Sequence, residues 1–165
     1  MDNLELFIKS CELGDIEKVK ILLPTVDING IYRGYTGLMK ASINNHESVV
    51  KLLLDNGADV DIVSCNCKTS LMLASLNDHI NIVKLLVDRG ADINKKDSDN
   101  NTPITLTLQR HDSEVVEYLI LKGAQFDCMS TREYEKILNN ILFKCTDMNI
   151  LLSHMYMKNI DKDTL

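Results

Sequence analysis

The chain has 165 residues, 45% of them hydrophobic and 25% charged, a length and balance that suit one compact unit with a buried core. Its formal net charge of -6 argues against general affinity for nucleic acid, because phosphate binding needs a field of Lys and Arg. No apolar run approaches the ~18 residues that would span a bilayer, and the opening Met1-Asp2-Asn3-Leu4-Glu5 lacks the basic-then-apolar pattern of a secretion signal. A cytoplasmic location, with the nucleus as a second compartment, is the expectation. The five cysteines, Cys11, Cys65, Cys67, Cys128 and Cys145, are odd in number and irregularly spaced, which reads as free thiols in a reducing compartment.

In chain order, the first predicted helix pair lies within residues 4–29. It carries Phe7 on one helix and Val19-Lys20-Ile21-Leu22 on the next, followed by Val26-Asp27-Ile28-Asn29. The second pair opens at Thr36, whose hydroxyl can accept an orphan backbone N–H at a helix start. Leu38 and Ala41 share one face of its first helix, Val49-Val50-Lys51-Leu52-Leu53 form the apolar stripe of its second, and Gly57 ends it. The third pair repeats this at an offset of 33: Thr69, Leu71 and Ala74, then Ile82-Val83-Lys84-Leu85-Leu86, then Gly90-Ala91-Asp92-Ile93-Asn94. The fourth repeats it again, with Thr102, Pro103 at the first helical position, Ile104, Val115-Val116-Glu117-Tyr118-Leu119 and Gly123-Ala124-Gln125-Phe126-Asp127. Beyond Asp127 the register continues faintly in Ile137, Met148, Leu151 and Leu152, which predicts a degenerate fifth unit.

A fixed period of this size is the sequence signature of a stacked repeat fold. The segments Thr36-Gly37-Leu38-Met39-Lys40-Ala41, Thr69-Ser70-Leu71-Met72-Leu73-Ala74 and Thr102-Pro103-Ile104-Thr105-Leu106-Thr107 resemble the opening of the ankyrin repeat, T-P-L-H-x-A. The family's histidine is replaced by Met39, Met72 and Thr105, with apolar packing by Met as compensation. The resemblance implies an all-α solenoid of about five helix-turn-helix units in a single domain, 1–165. It divides into an N-terminal capping repeat at 1–33, central repeats at 34–66, 67–99 and 100–132, and a degenerate C-terminal cap at 133–165. Stability in such a stack comes from neighbour-to-neighbour burial. Leu85 is read as a core leucine whose truncation to alanine costs about 2–5 kcal/mol.

Chemical motifs are sparse. Cys65-x-Cys67 supplies half of a four-ligand zinc site and no second half follows. Asp97-x-Asp99-x-Asn101 resembles the start of a calcium loop, but Thr102 and Leu108 stand where glycine and a bidentate glutamate are needed. His46 and His79 recur one period apart before each second helix, and a periodic residue serves the periodic framework. No cofactor and no metal are expected.

The resemblance implies recognition of another protein through a concave surface of hairpin tips and first helices. Its variable contact positions fall on Tyr32, Arg33, Tyr35, Ile43 and Asn44; on Cys65, Asn66, Lys68, Leu76 and Asn77; and on Ser98, Asp99, Asn101, Gln109 and Arg110. Tyr32, Arg33 and Tyr35 lead this set, because Tyr and Arg carry much interface energy. The alternative for Tyr32 and Tyr35 is that they cover the junction with the first repeat. Asn94, with Leu86 eight residues before it, resembles a substrate of an asparaginyl hydroxylase and is a candidate modification site. The leading functional reading is a non-catalytic adaptor or inhibitor that binds a partner protein, neither nucleic acid nor membrane. The competing readings are an enzyme using Cys65 or Cys67 as nucleophile, and an assembly element that self-associates weakly through Ile141, Phe143, Leu151, Leu152 and Met155. A monomer is expected.

Overall fold

A computed structural model describes residues 2–108 and 114–125. These residues form eight α-helices: α1 (Asn3–Leu13), α2 (Ile16–Leu22), α3 (Gly37–Ile43), α4 (Glu47–Asp55), α5 (Ser70–Leu76), α6 (Ile80–Asp88), α7 (Pro103–Leu108) and α8 (Glu114–Leu121). A 3-10 turn, Leu23–Thr25, extends α2. Consecutive helices pair as α1–α2, α3–α4, α5–α6 and α7–α8. The first helices then stack in the order α1, α3, α5, α7, and the second helices in the order α2, α4, α6, α8. The fold is an all-α repeat stack of two helical layers, and the fifth unit predicted beyond Asp127 lies outside the described residues. Among the described residues, no helix is long and apolar enough to cross a membrane.

The local signals act as their chemistry dictates. Thr36 Oγ1 accepts from the Met39 amide at 3.3 Å, Thr69 Oγ1 from the Met72 amide at 3.2 Å and Thr102 Oγ1 from the Thr105 amide at 3.5 Å. The two methionines that replace the family's histidine are fully buried, so they fill the space between layers. Thr105 does something else: its hydroxyl oxygen accepts from the Thr102 amide at 2.8 Å, closing a reciprocal cap.

The core is one column of equivalent positions. Phe7, Leu38, Leu71 and Ile104 fill one row; Val19, Val50, Val83 and Val116 fill a second; Leu22, Leu53, Leu86 and Leu119 fill a third. Leu86 is fully buried, whereas Leu85 is half-buried against the core. The helix phase therefore corrects the expectation for Leu85. The loss of about 2–5 kcal/mol on truncation belongs to Leu86→Ala, and a chemical melt of both alanine variants should place Leu85→Ala well below it.

Hydrogen bonds stitch each unit to the next. His46 Nε2 donates to the Glu12 carbonyl at 2.9 Å, and His79 Nε2 donates to the Ile43 carbonyl at 3.0 Å. The histidines thus satisfy carbonyls at the end of the preceding first helix. Gly14 ends α1 in the left-handed region at φ 73°, and a Cβ there would stand 2.5 Å from His46 Nδ1. Glycine is needed at that point both for its backbone and for the imidazole above it. At the other end of each unit, Asn29 Oδ1 accepts from the Asp59 amide at 2.9 Å, Asp61 from the Asp92 amide at 3.2 Å and Asn94 Oδ1 from the Gln125 amide at 2.8 Å.

Candidate functional site

The hairpin tips between units differ in length, and that difference decides what each side chain can do. The first tip is a two-residue loop. Tyr32 and Tyr35 exchange backbone hydrogen bonds at 3.0 and 3.1 Å, with Arg33 and Gly34 between them at φ 51° and 83°. Positive φ at both central residues matches the right-handed twist of a tight hairpin. The second and third tips are three-residue loops, closed by the Ser64 amide on the Lys68 carbonyl and by the Asp97 amide on the Asn101 carbonyl, both at 2.9 Å. Each has its third loop residue in the left-handed region, Cys67 at φ 55° and Asn100 at φ 64°.

Tyr32 therefore occupies the base of its tip, the place taken by Ser64 and Asp97, and not the loop place of Cys65 and Ser98. Its hydroxyl donates to Glu5 Oε1 at 2.5 Å, and its ring packs half-buried against the core. Hydrogen bonding to the Glu5 carboxylate holds the phenol proton and raises the Tyr32 pKa above its ordinary value. Arg33 is exposed, with its guanidinium 5.2 Å from the centre of the Tyr32 ring. Tyr35 is half-buried beneath the Lys40 ammonium, 4.6 Å from its ring centre, and that ammonium also pairs with Glu12 at 2.8 Å. Tyr32 thus engages Glu5 of α1, Tyr35 is covered by Lys40 of α3, and Arg33 is exposed beside them.

Along the first helices, Ile43 and Leu76 stand one period apart and are half-buried. Beside them, the Asn44 and Asn77 side-chain amides donate to the Lys40 and Leu73 carbonyls at 2.9 and 2.8 Å, which closes the ends of α3 and α5. On the second tip Cys65, Asn66 and Cys67 are exposed, and on the third Ser98 and Asp99 are exposed. The two tips touch: the Ser98 amide and hydroxyl both donate to the Asn66 carbonyl at 3.3 Å. Gln109 and Arg110 lie outside the described residues, as do Cys128, Cys145 and the apolar residues of the tail from Ile141 to Met155. Asn94 is half-buried, and its side-chain oxygen is taken by the next unit.

Lys68 and Asn101 converge on Asp97, a lock that sequence reasoning missed. Asp97 has a fully buried side chain, yet its carboxylate accepts from Lys68 Nζ, from the Asp99 and Asn101 amides at 2.9 and 2.8 Å, and from Asn101 Nδ2 at 3.4 Å. Burial pushes this carboxyl up, but the bonds from Lys68, Asn101 and Asp99 outweigh it and hold the group below its ordinary pKa. The run Asp97-x-Asp99-x-Asn101 was the signal available, since an Asp side chain at the start of a turn can accept the amides that follow it. Among the thiols, Cys11 is buried and pushed up to about 12 by desolvation, which removes it as a nucleophile near neutral pH. Among the described residues, no group of three or more His, Cys, Asp or Glu is placed to hold a metal ion.

This arrangement of paired helices and hydrogen-bonded tips agrees with the comparisons. The family described as "Ankyrin repeats (3 copies)" matches residues 4–97 and 58–131. The chain belongs to the ankyrin repeat family, whose members are generally protein-interaction modules. Serine/threonine-protein kinase TNNI3K of Mus musculus is 42% identical over 60 residues, covering 34% of this chain and 7% of that protein. The protein of the same name from Rattus norvegicus is 42% identical over 55 residues, covering 32% of this chain and 7% of that protein. The similarity therefore reaches only a small part of those kinases.

Proposed function

We propose that the chain is a non-catalytic adaptor or inhibitor that docks a partner protein through the face built from its hairpin tips and first helices. The observation that carries this reading is that the second and third tips are tied to one another through the Asn66 carbonyl, while Arg33, Asn66 and Asp99 on the three tips are exposed. Side chains presented at a fixed spacing by hydrogen-bonded turns lose little freedom on binding, so contact energy is retained as affinity. Arg33 and half-buried Tyr35 supply the residue types that anchor interfaces, and Ile43 and Leu76 supply an apolar strip beside them. The charged ends differ, with Arg33 at the first tip and Asp99 at the third, so the favoured partner presents acidic and basic groups in the opposite order.

The test is affinity capture from a cell lysate, followed by mass spectrometry. A triple variant, Arg33→Glu with Asn66→Arg and Asp99→Lys, changes one exposed residue on each tip. It should lose the proteins captured by the unaltered chain while its melting midpoint stays in place. Lys51→Glu, an exposed change on α4, should keep them. Capture that survives the tip variant and fails with Lys51→Glu would move the docking face to the second-helix layer.

A further inference from the structure

We propose that Asn29-Gly30 is a self-modification site, an asparagine that cyclises and isomerises when the first helix pair parts from the second. At three seams of the stack a side-chain oxygen holds an amide of the following unit: Asn29 that of Asp59, Asp61 that of Asp92 and Asn94 that of Gln125. The residue after each acceptor differs. Ile62 and Lys95 follow the second and third, whereas Gly30 follows the first. A bulky side chain hinders the backbone nitrogen on which cyclisation depends, and glycine leaves it open. Packing keeps glycine there: a Cβ on Gly30 would stand 2.6 Å from Leu4 Cδ1 and 2.9 Å from the Asp27 carbonyl oxygen. The seam of the terminal unit is thus the one built on a labile Asn-Gly pair.

The only co-reactant is water. The Gly30 nitrogen attacks Asn29 Cγ, a new N–Cγ bond forms and the Cγ–Nδ2 bond breaks. Nδ2 leaves as ammonia, carrying the proton lost from Gly30. Water then opens the five-membered imide. Cleavage at Cγ leaves aspartate; cleavage at the main-chain carbonyl carbon leaves isoaspartate, with the backbone rerouted through Cβ and Cγ. In the closed stack both reacting groups are engaged. The Gly30 amide donates to the Asp27 carbonyl at 2.9 Å, and Asn29 Oδ1 accepts from the Asp59 amide at 2.9 Å. Attack requires both bonds to be given up, so reaction follows the population of the open seam. The two products differ in consequence. Aspartate keeps an acceptor for the Asp59 amide, as Asp61 does for that of Asp92. Isoaspartate lengthens the main chain just before Gly30, where Leu4 and the Asp27 carbonyl leave no slack, and so prevents the first pair from reseating. A transient opening becomes a permanent one.

Asn56-Gly57 at the end of α4 serves as internal reference, because the Asn56 side chain closes its own helix on the Leu52 carbonyl at 2.8 Å. The test incubates the full chain at mildly alkaline pH, folded and in denaturing urea. Both Asn-Gly pairs are followed by peptide mapping, with isoaspartate scored by enzymatic methyl transfer from S-adenosylmethionine. Asn29 should convert more slowly in the folded chain by on the order of tenfold or more, the factor set by the opening equilibrium. Gly37→Ala, whose Cβ would stand 2.9 Å from both Phe7 Cε1 and Cys11 Sγ of α1, should speed Asn29 and leave Asn56 unchanged. Chains carrying isoaspartate at position 29, separated by chromatography, should exchange the Asp59 amide rapidly while the Asp92 amide stays protected. A freshly made Asn29→Asp chain should protect both, which separates the rerouted backbone from the added charge. Equal rates at Asn29 in the folded and unfolded chain would overturn the proposal, as would an isoaspartyl chain whose Asp59 amide is protected as before.

Discussion

The second and third hairpin tips have the same backbone and different locks. Both are closed across five residues, with an amide-to-carbonyl bond of 2.9 Å and a third loop residue in the left-handed region. At the base of the third tip, the Asp97 carboxylate gathers two backbone amides, a side-chain amide and the Lys68 ammonium from the tip before it. At the base of the second, the Ser64 hydroxyl accepts from the Lys68 amide at 3.2 Å. One lone carboxylate thus spans two units where a hydroxyl serves one loop. The turn shape depends on the backbone, and the tie between these two tips combines the Asp97–Lys68 pair with the Ser98 bonds to the Asn66 carbonyl.

The largest test of that contrast is Asp97→Ala. It removes four hydrogen bonds and strands the Lys68 ammonium, which is 20% exposed, so a loss of about 2–4 kcal/mol in urea unfolding is expected. Ser64→Ala should cost clearly less, and equal losses at the two bases would break the comparison. Acid gives the second test. The Asp97 pKa is lowered in the folded chain, so its stabilisation is complete above the unfolded value of about 3.9 and is lost as pH falls through the folded value. An Asp97→Asn variant should lose this component of the acid dependence of the melting midpoint, whereas Ser64→Ala should keep it. Next in size is Cys67→Gly, with an expected gain of about 1 kcal/mol from relief of the left-handed backbone. Asn100→Gly, starting from a residue that tolerates that region, should gain less. The smallest is Ser64→Asp, which offers the second tip a carboxylate for its loop amides and should add about 0.5–1 kcal/mol in thermal melts.

The repeat was legible because it is periodic: Thr caps, glycine ends and the Val and Leu stripes recur at one spacing, and each recurrence supports the others. The buried pair Met39 and Met72 follows the same logic. Where the period slips, inference slipped with it. The first tip is one residue shorter than the others, so a constant offset equated Tyr32 with Cys65 when its hydrogen bonds place it with Ser64. Leu85 and Leu86 are adjacent letters in one apolar stripe, and only the packed phase of α6 separates half-buried from buried. The Lys68–Asp97 lock joins residues on consecutive tips, and its formation depends on how two loops sit together. The outer tip residues carry no such constraint from packing, and for that reason their chemistry says more about recognition than about fold.

The side-chain oxygens of Asn29, Asp61 and Asn94 each hold an amide proton belonging to the unit that follows. Those three protons, on Asp59, Asp92 and Gln125, act as gauges of separation along the solenoid. Their exchange with deuterated solvent reports whether two adjoining pairs have parted, even while each pair stays helical. Ranked by exchange rate, they would show at which seam the array comes apart first.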